Sequence, residues 1–401
     1  MALASLRPRK TVVLETQMFK FFPLCAVLLV GLGFASPGQA HDENLNIYDV
    51  PVGSTVEPQQ RMVQVAQALL ASVSGEPSLS EVMDNYSKRS MLLHPVDDDD
   101  VRNWTFWPTE RIGLPLRLMN VEQMSLTQEL LWSLLSEKGY LKVLSVMQLE
   151  NLLIWTETED WPRGIGDYVI VFFGDPSDDE WSWRFEGHHV SLNVAVSPDG
   201  IAVTPSFLGA KPALIDTSRL SGVRLLRTWE DGAKTLINSM TDQQRDRARV
   251  AVSPGETALA ESMGLGNFEG APHDIHGSHM LRTPDAWDDW RNLPAGIPYA
   301  QLNPDQQQIL ERLVVSVIDL YRPQYVDEVS LNTDMLSFAF SGEATSDGLL
   351  YFRIDDGRFF YEYLNTQLSY DHVHTVWRDK SSDFGADILK RHLELHHRAD
   401  Q

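Results

Sequence analysis

Apolar residues recur along the chain in three rhythms, and each predicts a different kind of segment. Phe21–Ala35 is an almost unbroken apolar run with Lys20 before it and the small-residue stretch Ser36-Pro-Gly-Gln-Ala40 after it. After Pro58, residues Met62, Val63, Val65, Ala66, Leu69 and Leu70 recur at helical spacing, as do Leu126, Leu130, Leu131 and Leu134. Strand-like stretches follow a third pattern. Asp167–Phe173 is a continuous β-branched and aromatic run, and Gly187–Val196 alternates polar with apolar. Leu336–Phe340, Leu349–Ile354, Phe359–Leu364 and Asp371–Trp377 then follow in quick succession near the carboxyl end.

Polar punctuation sharpens these elements. Asn120-Val-Glu-Gln123, Thr241-Asp-Gln-Gln244 and Asn303-Pro-Asp-Gln306 each place a capping side chain three residues before a glutamine. That spacing lets cap and glutamine satisfy each other's free backbone N–H groups, so each marks a helix start. Asp356-Gly357, between two strand patterns, predicts a two-residue hairpin turn. Connections this short force antiparallel pairing. The expected fold is α+β: an antiparallel β-sheet with helices packed on it, in a single large domain over residues 57–398. Residues 41–56 read as a linker, and 254–300, rich in Gly, Pro and His, as an irregular excursion.

The first apolar run has the length and flanks of a secretory signal peptide, residues 1–40, with Met18 as an alternative start that would make 1–17 over-called. An exported protein, periplasmic or extracellular, is therefore expected, with no membrane association after cleavage. Removal of residues 1–40 takes away Arg7, Arg9, Lys10 and Lys20 against Glu15. The remaining chain would carry 29 basic and 55 acidic side chains, a charge of −26 in place of the −23 of the full chain. So acidic a protein, with no basic cluster, is not expected to bind nucleic acid. Cys25, the single cysteine, lies inside the apolar run. Disulfides, thiolate metal sites and cysteine nucleophiles are thereby excluded from the mature part.

Histidine carries the candidate chemistry. His372 and His374 lie two apart on a strand pattern and so share a face, a recurring way to offer two ligands to zinc, copper, manganese or iron. In the adjacent pair, alternation puts His189 with Ser191 and Asn193, facing a polar cleft as a third ligand, and His188 with Val190 in a buried, hydrogen-bonded role. Glu362, alone among aromatic residues in Phe359–Tyr363, reads as a ligand, a partner to a ligand or a general base, or else as a salt-bridge partner of Arg353. Asp383 is expected to cap a last helix over 384–397, which carries His392 and His396. His273, His276 and His279 sit at three-residue intervals in the excursion. A Gly-x-Ser-x-Gly elbow, a His-Glu-x-x-His helix, a P-loop and a dinucleotide fingerprint are all missing from the sequence.

Taken in order, Phe106-Trp-Pro-Thr-Glu-Arg-Ile-Gly113, Tyr168–Gly174 with Pro176, Gly187-His-His189, Thr204–Gly209 with Pro212, His372-x-His374, Arg378-Asp379, Asp383-Phe-Gly385 and His392 form a familiar set. The chain resembles the exported family catalogued as domain of unknown function 3500, over about residues 60–395. Phe338-Ala-Phe340 departs from the pattern, where Phe-x-Trp is expected before Ser-Gly. The resemblance implies one domain family across the mature length and puts the histidines at its motif positions. It supplies no reaction.

Two functions are open at this point. In the first, an exported metal-dependent enzyme, a hydrolase by default, holds its ion with His189, His372 and His374. Glu362 or Asp379 serves as base, and Arg111, Arg353 or Arg378 clamps an anionic or carbonyl group. His188, Asp383 and His392 stand behind the ligands. In the second, a non-catalytic exported protein binds a peptide, glycan or small molecule in a groove drawn from its 11 Trp and 11 Tyr, and the histidines are structural. Export is directly testable: mass spectrometry of secreted protein should find an amino terminus at His41 or within a few residues. Soluble exported protein that retains Met1 or Met18 would refute the signal peptide.

Overall fold

A computed structural model describes residues 57–74, 87–156, 163–250 apart from 199 and 217–218, 296–326, 331–366 apart from 346, 347 and 349, and 371–386. The expected signal peptide, most of the excursion with its three histidines, and His392 with the expected last helix lie outside the described residues. Among the described residues there are seven helices: α1 (Pro58–Val73), α2 (Lys88–Leu92), α3 (Val121–Leu134), α4 (Glu137–Thr156), α5 (Arg227–Ser239), α6 (Asp242–Ala248) and α7 (Pro304–Ile318). None is long and apolar enough to cross a membrane.

The three expected capping boxes are present at the starts of α3, α6 and α7, with both reciprocal bonds made in each. Two of the capping glutamines also tie helices together. Gln123 Nε2 donates to Ser72 O at the end of α1, and Gln306 Nε2 to Ser239 O at the end of α5 (3.2 and 2.8 Å).

Among the described residues twelve strands form one sheet: β1 (Leu93–His94), β2 (Leu114–Pro115), β3 (Val169–Phe173), β4 (Trp181–Gly187), β5 (Val190–Ser197), β6 (Gly200–Ala202), β7 (Ser206–Ala210), β8 (Ile297–Pro298), β9 (Ser337–Gly342), β10 (Leu350–Asp355), β11 (Phe359–Thr366) and β12 (His372–Asp379). Their order is β1-β3-β4-β5-β7-β12-β11-β10-β9-β8, with β2 beside β3 and β6 beside β5. Every pair is antiparallel except β1 with β3. The α+β class and the single domain hold.

The β10–β11 connection is a three-residue loop rather than the expected two-residue turn. Asp356 is added to the loop because its carboxylate accepts the N–H groups of Arg358 and Phe359 (2.9 and 2.6 Å), while Gly357 supplies the left-handed residue (φ 91°).

The sheet has two unlike faces. Val190, Leu192, Leu208, Val373 and Trp377 join helix residues such as Leu69, Leu130 and Leu313 in one large core. On the opposite face β4, β5, β10, β11 and β12 carry Glu186, Ser191, Asn193, Arg353, Glu362 and Arg378, all buried. That face is covered by the segment before β2, whose Trp104 and Phe106 pack on Phe207, Phe360 and Val376. Helices therefore close one side and a largely irregular segment closes the other, which gives the polar face its shelter without a helix layer.

The α3–α4 joint is clamped on the end of α7: Ser136 N and Oγ donate to Leu320 O and Asp319 O (3.0 and 2.5 Å). Gly139 lies against this clamp, and a Cβ there would stand 1.9 Å from Leu320 O. Helix propensity alone favours alanine over glycine by about 1 kcal/mol. Overpacking against fixed backbone should outweigh it, so Gly139→Ala is expected to lower stability by about 2–3 kcal/mol, read from the urea midpoint. A gain in stability would show that the clamp yields.

Candidate metal centre

The pairing of β7 with β12 builds the site. Gly209 lies opposite His374, so His372 and His374 project on the polar face beside β7. His188 and His189 form the two-residue turn between β4 and β5, closed by the pair Gly187–Val190. They are thus not part of a strand, as alternation had led us to expect; Gly187 ends one strand and Val190 begins the next. His189 takes a left-handed conformation (φ 65°), which directs its ring over Gly209 onto the ligand face. A Cβ at Gly209 would lie 2.6 Å from His189 Cδ2, so the absence of a side chain there makes room for the ring.

Three Nε2 atoms converge. His189 Nε2 lies 2.6 Å from His372 Nε2, and His374 Nε2 lies 3.0 Å from the same atom. All three residues are buried. His372 Nε2 has either one proton or one lone pair, and so serves one neighbour well but not two. A cation accepting three lone pairs serves all of them. At a metal–nitrogen length of ~2.1 Å, ligand nitrogens stand roughly 3.0 Å apart at right angles and roughly 3.4 Å apart at a tetrahedral angle. The 3.0 Å pair already meets the right-angle value, and the 2.6 Å pair would open by about 0.4 Å to reach it or about 0.8 Å for a tetrahedral angle. Phe106 and Phe207 wall it, with ring centroids 4.9 and 5.3 Å from His374.

A second group of potential ligands, Glu150, His188 and His189, overlaps the first. Its geometry is that of a support. His188 Nδ1 meets Glu150 Oε1 directly at 2.7 Å, which leaves no space for an ion between them. The His188 and His189 rings are stacked at 3.8 Å, so their in-plane lone pairs run side by side and do not converge. Tyr168 adds a bond from its hydroxyl to His188 O (2.5 Å). His189 is thereby held between the His188 ring and Gly209.

Burial sets the electrostatics. Desolvation first, and then the positive charge of neighbouring groups including Lys211, holds the His189 and His372 imidazoles well below the ordinary value. Desolvation also lowers His188, against the opposing pull of Glu150. His189 and His372 are therefore held in the neutral form near pH 7, the form that coordinates a metal.

The other candidate residues are spread more widely. Glu362 is on the ligand face, paired with Val376, and so is a diagonal neighbour of His374 at roughly 7–8 Å; its carboxylate accepts from Tyr351 Oη at 2.7 Å. Arg353 lies opposite Glu362, one strand further away. Asp379 falls on the other face by alternation, and its carboxylate takes Arg358, Ser381 and Ser382 (2.6–3.2 Å). It is not beside the histidines. Arg378 is on the ligand face but four residues along β12, ~13 Å from His374, where its Nε donates to Asp383 Oδ2 (2.5 Å). Asp383 therefore serves Arg378 and the Asp379 N–H rather than a helix start. Phe384 and Gly385 are both left-handed (φ 55° and 76°), so these two residues are not α-helical, and the expected helix beyond residue 386 lies outside the described residues. Arg111 is engaged away from the histidines: its guanidinium donates to the Trp107 and Thr109 carbonyls and its Nε faces Glu186 at 3.5 Å, so it fastens the covering segment to the sheet.

Comparison with known proteins adds one finding. The family described as Protein of unknown function (DUF3500) matches residues 55–386. The chain belongs to that family. No curated protein and no solved structure matches it. All the site residues above fall inside the DUF3500 match, whereas His392 falls beyond it. Glu150, Tyr168, Gly209 and Lys211 had not been singled out as site residues. Glu150 had a legible signal, a carboxylate on the buried side of an apolar helix pattern.

Because the folded-state values of His189 and His372 are depressed, the unfolded chain binds more protons than the folded one below the ordinary imidazole value of 6.5. Their neutral burial leaves stability at its full value above pH 6.5 and erodes it as the pH falls further. Metal-free protein should thus show a lower urea midpoint at pH 5 than at pH 7.5, and His372→Phe should reduce that difference. An unchanged difference would mean that other groups set the acid sensitivity.

Proposed function

We propose that the protein is an exported metal-dependent enzyme, a hydrolase, whose ion is held by Nε2 of His189, His372 and His374. The convergence of those three atoms on one buried point is the observation that carries the reading. A bound zinc, copper, manganese or iron ion would supply Lewis acidity and a water acidified toward neutrality. Glu362 is the general base of this proposal, being the acidic group of the ligand face next along β11, with Tyr351 fixing its carboxylate. Asp379 has no part in it. Export, periplasmic or extracellular, rests on the amino-terminal pattern alone.

The aromatic residues weaken the alternative of a groove-binding protein. Trp104, Trp183, Trp229, Tyr168, Tyr321, Tyr351, Tyr361 and Tyr363 are all fully buried. They build cores and do not form a contact surface.

Untagged protein should bind close to one equivalent of divalent metal, measured by plasma mass spectrometry after gel filtration. His372→Ala and His374→Ala should lose it while keeping the circular dichroism of the wild type, and His94→Gln, distant in the fold, should retain it. Occupancy should fall as the pH drops through the imidazole range, since protonation competes with coordination. Wild-type protein that takes up none of the four metals would leave the histidines a structural role.

A further inference from the structure

Glu150 is out of place among its neighbours. It lies on the buried side of α4 with Val143, Val146, Met147 and Leu153, and only 1% of it is exposed. Its Oε2 is buried and has no hydrogen-bond partner among the described residues. An apolar side chain there would suit the core as well or better. What the carboxylate provides is a hold on His188. Oε1 meets His188 Nδ1 at 2.7 Å, and the Tyr168 hydroxyl donates to His188 O at 2.5 Å, so one contact fixes the ring and another the backbone.

The His188 ring in turn lies against a ligand. Its centroid is 3.8 Å from that of His189, with 27° between the planes, and a Glu150 carboxylate oxygen stands within 4.8 Å of a His189 ring nitrogen. His189 depends on such support. Its backbone is left-handed (φ 65°), a conformation that a β-carbon disfavours. Gly209, on the other side of the ring, leaves it space but has no side chain to hold it. The second side-chain torsion of histidine is broad, so the tilt of the His188 ring has to come from an outside contact.

We infer that Glu150 is a positioning residue of the metal centre: through the His188 ring it fixes the His189 imidazole, and so sets how tightly the ion is held. This rests on the three-histidine metal reading. The place of the carboxylate oxygen decides the effect, because a hydrogen bond to Nδ1 is directional whereas a charge alone would not orient the ring. Glu150 thus links α4, on the helix side of the sheet, to a site on the opposite face.

Two conservative substitutions separate place from charge. Glu150→Gln keeps an oxygen at the same reach and loses the charge; Glu150→Asp keeps the charge and withdraws the oxygen by one methylene. Zinc affinity of untagged full-length protein is measured in competition with a chromogenic chelator. It should stay within about threefold of wild type in Glu150→Gln and fall about tenfold or more in Glu150→Asp, the scale of losing a partner behind a metal ligand. With cobalt bound, the visible spectrum of Glu150→Gln should match wild type and that of Glu150→Asp should shift. In a His188→Phe background, which keeps a stacked ring but offers no Nδ1, Glu150→Asp should cause no further loss. Equal affinity in wild type and Glu150→Asp, a loss in Glu150→Gln as large as in Glu150→Asp, or an undiminished loss in the His188→Phe background overturns the inference and leaves the metal site standing. Failure of the wild type to bind zinc or cobalt overturns the metal reading and this inference together.

Discussion

The antiparallel pairing of β7 with β12 is the constraint on which the polar face depends. It seats the penultimate segment of the described chain against a strand formed far earlier, and it alone brings His372 within 2.6 Å of His189, 183 positions away. Both flanking contacts then become obligatory. The hairpin β4–β5 must present its turn over β7, and β7 must carry glycine at position 209, because any Cβ there would occupy the space of the His189 ring. A shift of one residue in this register would send both strand histidines into the helix-side core.

The polar face is expensive to bury, and the fold compensates by pairing charge locally. Arg184 and Arg111 converge on Glu186, which also accepts the Thr105 N–H at 2.7 Å. Arg378 and Asp383 form a separate pair at the end of β12. Removing one member of such a pair strands the other, at a cost of about 3–5 kcal/mol. These arginines thus read as fasteners between the sheet and the segment that covers it. The histidine cluster differs in having no carboxylate of its own, and burial disfavours the charged forms of His189 and His372.

Much of this was legible in the sequence. The capping boxes at Asn120, Thr241 and Asn303 were readable because a cap is a purely local device, set by four residues. Four of the closing strands and the sharing of a face by His372 and His374 followed from alternation. Other features depend on pairing partners that periodicity cannot name. The strand β4, with Arg184 and Glu186 buried among its aromatics, carries no clean alternation of polarity. The turn at His188–His189 was hidden inside an apparently regular strand, since its sharpness depends on the left-handed His189. Asp379 and Arg378 looked equivalent as neighbours of a motif, yet adjacency along a strand guarantees opposite faces.

The order of ligands along the chain also bears on how the site comes into being. His189 belongs to a meander of near neighbours, β3 to β5, which needs only short loops to close. His372 and His374 arrive on the last of the described strands, so β7 and β11 remain open edges until β12 inserts between them. A chain that has not yet added β12 therefore presents one imidazole of the trio and no chelate. The complete trio exists only once β12 has paired with β7, so a ligand that needs all three imidazoles must wait for that pairing.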